Sequence, residues 1–242
     1  MIASGTDDGT LWLWDTETPR RRHHHPGIDG QFDSLHKYFI SFSPDGRWLV
    51  TDVGHYNCRI WDVSSGRLHR ELHGHSAVLN AATFDPTGTR IATASTDTTV
   101  RIWDVITGAM LLVMKEHENC VMDVSFSPDG RLVLSASWDC TAKIWDASTG
   151  VMISSLKGHS DWIEAACFSP CGEYAASASW DETVRLWRIS DASCIGTFTE
   201  HMGRVRHVVF SPDGKTLSSG ADDGTVYIRR MTDIIPAAQK GL

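Results

Sequence analysis

Residues 126 to 146 read Phe-Ser-Pro-Asp-Gly-Arg-Leu-Val-Leu-Ser-Ala-Ser-Trp-Asp-Cys-Thr-Ala-Lys-Ile-Trp-Asp. Pro128 pre-sets φ for a tight turn and Gly130 takes its positive-φ place. A run of β-branched and apolar residues follows, Leu132 to Ser137, then a second turn at Trp138-Asp139-Cys140-Thr141, then another run ending at Trp145-Asp146. Outward from this stretch lie two more such runs, Val121 to Phe126 before it and Val151 to Leu156 after Ser148-Thr149-Gly150. Four short strands are therefore expected in about forty residues, with no room for a helix of about ten.

The same unit recurs. The Trp of the terminal Trp-Asp falls at Trp14, Trp61, Trp103, Trp145 and Trp187, with Arg229 in the next place, at steps of 47, 42, 42, 42 and 42 residues. Ser43-Pro44-Asp45-Gly46 and its counterparts at Asp85, Ser127, Ser169 and Ser211 run in phase, and Phe42, Phe84, Phe126, Phe168 and Phe210 each lie 19 residues ahead of the Trp place. A period of about 40–45 residues with four strands marks a radial array of sheets, each too small to bury both faces without its neighbours.

Gly158-His159, the Ser-Pro-Asp-Gly turns, Ser179-Trp180-Asp181-x-Thr183 and the terminal Trp-Asp together resemble the WD40-repeat family of β-propellers, over residues 1 to about 231. Near-consensus copies of this kind are also similar to the arrays attached to larger regulatory proteins, including fungal signalling NTPases. The resemblance implies an all-β propeller of about six four-stranded blades in one domain, with the first and last blades incomplete. The expected blades are 1–30 (partial), 31–73, 74–115, 116–157, 158–199 and 200–242. The first blade lacks its inner strand and Pro236 discourages a regular last strand, so an open propeller completed by other parts of a longer chain or by a partner is expected.

The family implies a buried network of His, hydroxyl, Asp and Trp in each blade. By position these are His75, Thr93, Asp97 and Trp103, then His117, Ser135, Asp139 and Trp145, then His159, Ser177, Asp181 and Trp187. The Asp accepts from His, the His from the hydroxyl, and the hydroxyl from the indole N–H. The hydroxyl is placed four residues before Asp, although the one two residues before it shares its strand face. A Ser-His-Asp set suggests a catalytic triad, but its threefold repetition speaks for structure and against catalysis. In the second blade His55 and Asp33 have exchanged places and are expected to touch. The sixth blade keeps His201, Ser219 and Asp223 but has Arg229 for Trp, and the first offers only Ser4, Asp8 and Trp14.

Binding in the family often uses the wide face, and three positions per blade are expected to point there. They include His36, Tyr38 and Gly54, then Val78, Asn80 and Thr96, then Cys120, Met122 and Trp138. The fifth blade gives Trp162, Glu164 and Trp180, and the sixth Arg204, Arg206 and Asp222. Three Trp and a Met on adjacent blades form an expected docking patch. An apolar or cationic side chain would enter between the rings, and an acidic group would meet the Arg pair. The other reading is that the indoles pack on one another.

Composition narrows the function further. Net charge is −8, with 22 Lys and Arg against 30 Asp and Glu, which opposes a general nucleic-acid binder. No apolar run nears a membrane span, and the first residues lack the pattern of a secretory signal. Six scattered cysteines suit a reducing cytoplasm or nucleus. Arg20 to Arg22 and His23 to His25 read as a solvated basic loop rather than a metal site, Cys167 and Cys171 as free thiols, and no cofactor motif is present. The expected function is a non-catalytic scaffold for proteins or peptides. The alternatives are the sensor or substrate-receptor part of a larger enzyme, such as a ubiquitin ligase or signalling NTPase, or a propeller fragment.

Overall fold

A computed structural model describes residues 2–5, 11–14, 21–25, 39–52 and 56–235. Its strands form six antiparallel sheets, each a meander in chain order. The first contains β1 (Ile2–Gly5), β2 (Leu11–Trp14) and β3 (Arg21–His25). The second contains β4 (Ile40–Phe42), β5 (Trp48–Asp52), β6 (Cys58–Asp62) and β7 (Arg67–Leu72). The third contains β8 (Leu79–Phe84), β9 (Arg90–Ser95), β10 (Val100–Asp104) and β11 (Met110–Met114). The fourth has β12 (Val121–Phe126), β13 (Leu132–Ser137), β14 (Thr141–Asp146) and β15 (Met152–Lys157). The fifth has β16 (Ile163–Phe168), β17 (Tyr174–Ser179), β18 (Val184–Arg188) and β19 (Cys194–Phe198). The sixth has β20 (Val205–Phe210), β21 (Thr216–Ala221) and β22 (Val226–Arg230), after which the chain enters a single helical turn, α1 (Met231–Ile234). This is the all-β, bladed architecture expected from the repeats, the first and last sheets having three strands each among the described residues.

Local chemistry sets each turn. In the second sheet the Gly46 N–H donates to the Ser43 carbonyl at 2.8 Å with Gly46 at φ +69°, and the Ser43 hydroxyl donates to Asp45 and accepts from the Trp48 N–H. A bulge recurs one residue into the inner strand, at Leu79/Ala81, Val121/Asp123, Ile163/Ala165 and Val205/His207. A second recurs before each Trp, as at Ile102/Trp103 and Ile144/Trp145. Repetition of a bulge at one register sharpens the twist of the sheets that share it.

The hydrophobic core lies between the sheets. One apolar cluster joins Trp48, Ile60 and Leu72 of the second sheet to Leu79, Phe84 and Trp103 of the third. Further clusters join the third to the fourth through Ile102, Met114, Val121 and Trp145, and the fourth to the fifth through Ile144, Leu156, Ile163 and Trp187. The last joins Leu186 and Tyr174 to Val208, Phe210 and Ile235. Burial of this kind needs a neighbour on each side, as expected of units too small to enclose a core. The inner strands β4, β8, β12, β16 and β20 run beside one another and border a cavity of about 620 Å³, lined by Asn80, Met122, Asp123, Glu164 and His207 among others.

Candidate functional site: a tryptophan ladder on a hydrogen-bonded frame

The frame comes first, because it holds the ends of the strands. In the fourth sheet His117 Nδ1 lies 2.6 Å from Asp139 Oδ2 and Nε2 lies 2.7 Å from Ser135 Oγ, and the Trp145 indole donates to that Oγ at 2.8 Å. The third sheet repeats this with His75, Asp97, Thr93 and Trp103, every contact at 2.8 Å. The fifth repeats it with His159, Asp181, Ser177 and Trp187, also at 2.8 Å. A carboxylate only accepts, so Nδ1 carries the proton and Nε2 accepts from the hydroxyl.

Each Asp also accepts from the backbone and hydroxyl of its own turn, as Asp97 does from Thr99 and from the Ser76 N–H. Burial alone would raise Asp97, Asp139 and Asp181, but the hydrogen bond from each partner His, with these turn donors, holds all three far below the usual carboxylate range. Burial in turn lowers His75 and His117 against the upward pull of their Asp partners. The serine oxygens are out of solvent's reach, with Ser135 and Ser177 at 0 % exposure, and already engaged by an indole and an imidazole. The set therefore has the atoms of a triad without access for a substrate.

The sequence left two positions for the hydroxyl, and the structure uses the one four residues before Asp. The other serine, Ser95, Ser137 or Ser179, donates to a loop carbonyl and accepts the N–H of the Asp. In the sixth sheet Arg229 stands in for Trp, its Nη1 donating to Ser219 Oγ at 2.9 Å while Nη2 pairs with Glu200 at 3.0 Å. His201 keeps Ser219 at 2.8 Å but sits 3.3 Å from Asp223, sharing Nδ1 with Thr225 at 3.1 Å. In the second sheet Trp61 donates to Thr51 at 2.9 Å. The exchanged pair Asp33 and His55 lies outside the described residues, as do His36, Tyr38, Gly54, Asp8, Pro236 and the side chains of Ser4 and of His23 to His25.

At one end of this frame the structure brings together Trp138, Trp162 and Trp180. Trp138 and Trp162 stack with centroids 4.1 Å apart and planes 11° from parallel, and Trp180 tilts against Trp162 at 4.5 Å. The backbone sets this register: the Trp138 N–H donates to the Cys120 carbonyl and the Trp180 N–H to the Trp162 carbonyl. Glu164 lies beneath, accepting both the Trp138 and Trp180 indole N–H at 3.3 and 3.2 Å on one oxygen, with Arg206 3.8 Å from the other. Arg204 and Arg206 sit over the Trp180 ring, at 4.0 and 4.8 Å from its centroid.

Two expectations need correction. Trp138 and Trp162 stack too closely to admit a side chain between them, so their rings offer edges and one outer surface instead. Glu164 and Met122 do not face open solvent. Glu164 is 3 % exposed, drawn inward by two indole donors and an arginine, and Met122 is 7 % exposed at the bulge bordering the cavity. The three Trp themselves are half-buried. The linking role of Glu164 carried no signal in the sequence, since its partners lie 16, 26 and 42 positions away.

Residues 33–62, 66–104, 108–146, 150–188 and 192–229 match the WD domain, G-beta repeat family. The chain belongs to the WD40-repeat family. It is also similar to the Protein LST8 homolog of Drosophila melanogaster, 33% identical over 64 residues. That match covers 26% of this chain and 19% of the fly protein, so the chain spans about a fifth of the length of that relative. WD40 propellers are generally non-catalytic interaction folds. Among the described residues no helix is long and apolar enough to cross a membrane, and no group of three or more His, Cys, Asp or Glu could hold a metal ion.

Proposed function

We propose that this WD40 chain is a non-catalytic platform that docks a protein or peptide on the end of the sheets carrying Trp138, Trp162 and Trp180, and so assembles a multiprotein complex. The carrying observation is the ladder itself. Three indoles from neighbouring sheets are held partly exposed around one buried carboxylate, whereas the places of Trp138 and Trp162 in the third sheet hold Thr96 and Val78. The frame below needs none of the three, because the third, fourth and fifth blades each already have their own buried Trp, at Trp103, Trp145 and Trp187. Rigid indoles with one wet edge are the residues that most often dominate an interface. The closed Ser-His-Asp networks support a role without catalysis. Six free thiols, Cys171 and Cys194 exposed among them, suit a reducing compartment, and the acidic balance suits a protein partner over nucleic acid.

The test compares proteins captured from the native source by the wild-type chain and by a Trp138→Ala, Trp180→Ala double variant whose melting curve is measured in parallel. Loss of a reproducible set of partners, with folding retained, is the expected result. An identical set on both baits would refute the assignment of the surface.

A further inference from the structure

The two arginines beside the ladder differ in a way that bears on the chemistry of the docked segment. Arg206 is committed internally: Nε and Nη2 each donate to an oxygen of Asp222 at 2.8 Å, and Nη1 faces Glu164. Arg204 is exposed, its guanidinium 4.0 Å above Trp180. Among the described residues it forms no ion pair of its own; the nearby Asp222 carboxylate is held bidentately by Arg206. A guanidinium resting on an indole is pre-positioned with its N–H edge turned to solvent, and the partner that edge matches is a carboxylate taken bidentately. The opposite end of the ladder has the other sign. Glu118 and Asp161 are exposed in the loops entering the fourth and fifth sheets; Glu118 neighbours Asn119, whose amide donates to the Trp138 carbonyl, and the Asp161 carboxylate itself accepts the Trp162 N–H.

We infer that the docked segment is an acidic peptide, with an apolar side chain against the indole ladder and an Asp or Glu carboxylate on Arg204. This rests on the docking reading above and adds its charge and direction: Glu118 and Asp161 repel an acid placed at the fourth-sheet end, so the acidic residue faces the sixth sheet. Arg206 is already neutralised and contributes by fixing Glu164 and Trp180.

Selection of short random peptides displayed on phage, against the wild-type chain and against Arg204→Glu, tests it. Because Arg204 is exposed and its side chain donates no hydrogen bond among the described residues, the variant is expected to keep the wild-type melting curve. Wild-type selection should enrich peptides with Asp or Glu beside an apolar residue, each bound ~10-fold or more weakly by Arg204→Glu. Selection on the variant should enrich Lys or Arg at the same place. Enriched peptides that need Trp138 and Trp180 but carry no acid, or acidic ones bound equally by the variant, overturn this inference and leave the docking surface standing. Failure to enrich any peptide whose binding depends on the Trp pair overturns both.

Discussion

Ser135 and Ser137 point to the same side of one strand, yet they do different work. Ser135 joins Trp145 to His117, and Ser137 ties the following turn to the Asn119 and Cys120 carbonyls. Ser135→Ala leaves an indole N–H and an imidazole nitrogen unpaired in a dry site and is expected to cost about 1–3 kcal/mol. Ser135→Thr, the residue found as Thr93 in the third sheet, should retain most of the stability; urea titration of both variants distinguishes them. Backbone conformation supplies a second residue-level expectation. Thr98, Cys140 and Glu182 occupy the left-handed region at φ 68°, 65° and 67°, and the sixth sheet has Gly224 there at 77°. A β-branched residue is strained at such a φ, so Thr98→Gly should raise stability by roughly 1 kcal/mol. An unchanged or lower melting temperature would contradict that reading. The residue types of these networks were legible in the sequence because they recur at fixed offsets. Arg229 was not, since nothing in its type says that a guanidinium will reach the place of an indole N–H.

At the scale of the sheet, the turns, the four-strand meanders and the network positions follow from local chemistry repeated at a 42-residue step, and that is why they could be read. Contacts between sheets carry less signal. Arg90 donates to the Gly130 and Ala147 carbonyls of the next sheet while pairing with Asp85, and those acceptors are backbone atoms that any residue supplies. The equivalent places hold Trp48, Leu132, Tyr174 and Thr216, so no pattern announces the clamp. The networks also give the third, fourth and fifth sheets a pH dependence. His75 and His117 titrate below their ordinary range when folded, so the unfolded chain takes up their protons first. Their stabilising contribution is complete above about pH 6.5 and is lost as pH falls from there through the lowered folded values. Asp97, Asp139 and Asp181, also lowered, add a second loss below about pH 4. Melting temperature should therefore be flat above neutrality, fall from about pH 6.5, and fall more steeply below about 4. A midpoint unchanged between pH 7 and 5 would show that the histidines do not titrate as the buried geometry requires.

Across the whole molecule, apolar clusters bridge each neighbouring pair of sheets from the second to the sixth, which makes the frame rigid enough to hold indoles from different repeats in one stack. Where those indoles fall was legible from repeat phase, and their packing on one another was one of the two readings left open, but the buried carboxylate beneath them was not legible, because its place depends on the angle between sheets. Six of the ten tryptophans thus fall into two groups: Trp103, Trp145 and Trp187, sealed in the frame, and Trp138, Trp162 and Trp180, half-buried at its end. The indole 1H–15N NMR spectrum, recorded while a peptide selected on the wild-type chain is added, separates them directly. The resonances of Trp138, Trp162 and Trp180 should move with saturation while those of Trp103, Trp145 and Trp187 stay in place. Shifts confined to other tryptophans, or spread equally over both groups, would contradict the assignment of the ladder as the docking surface.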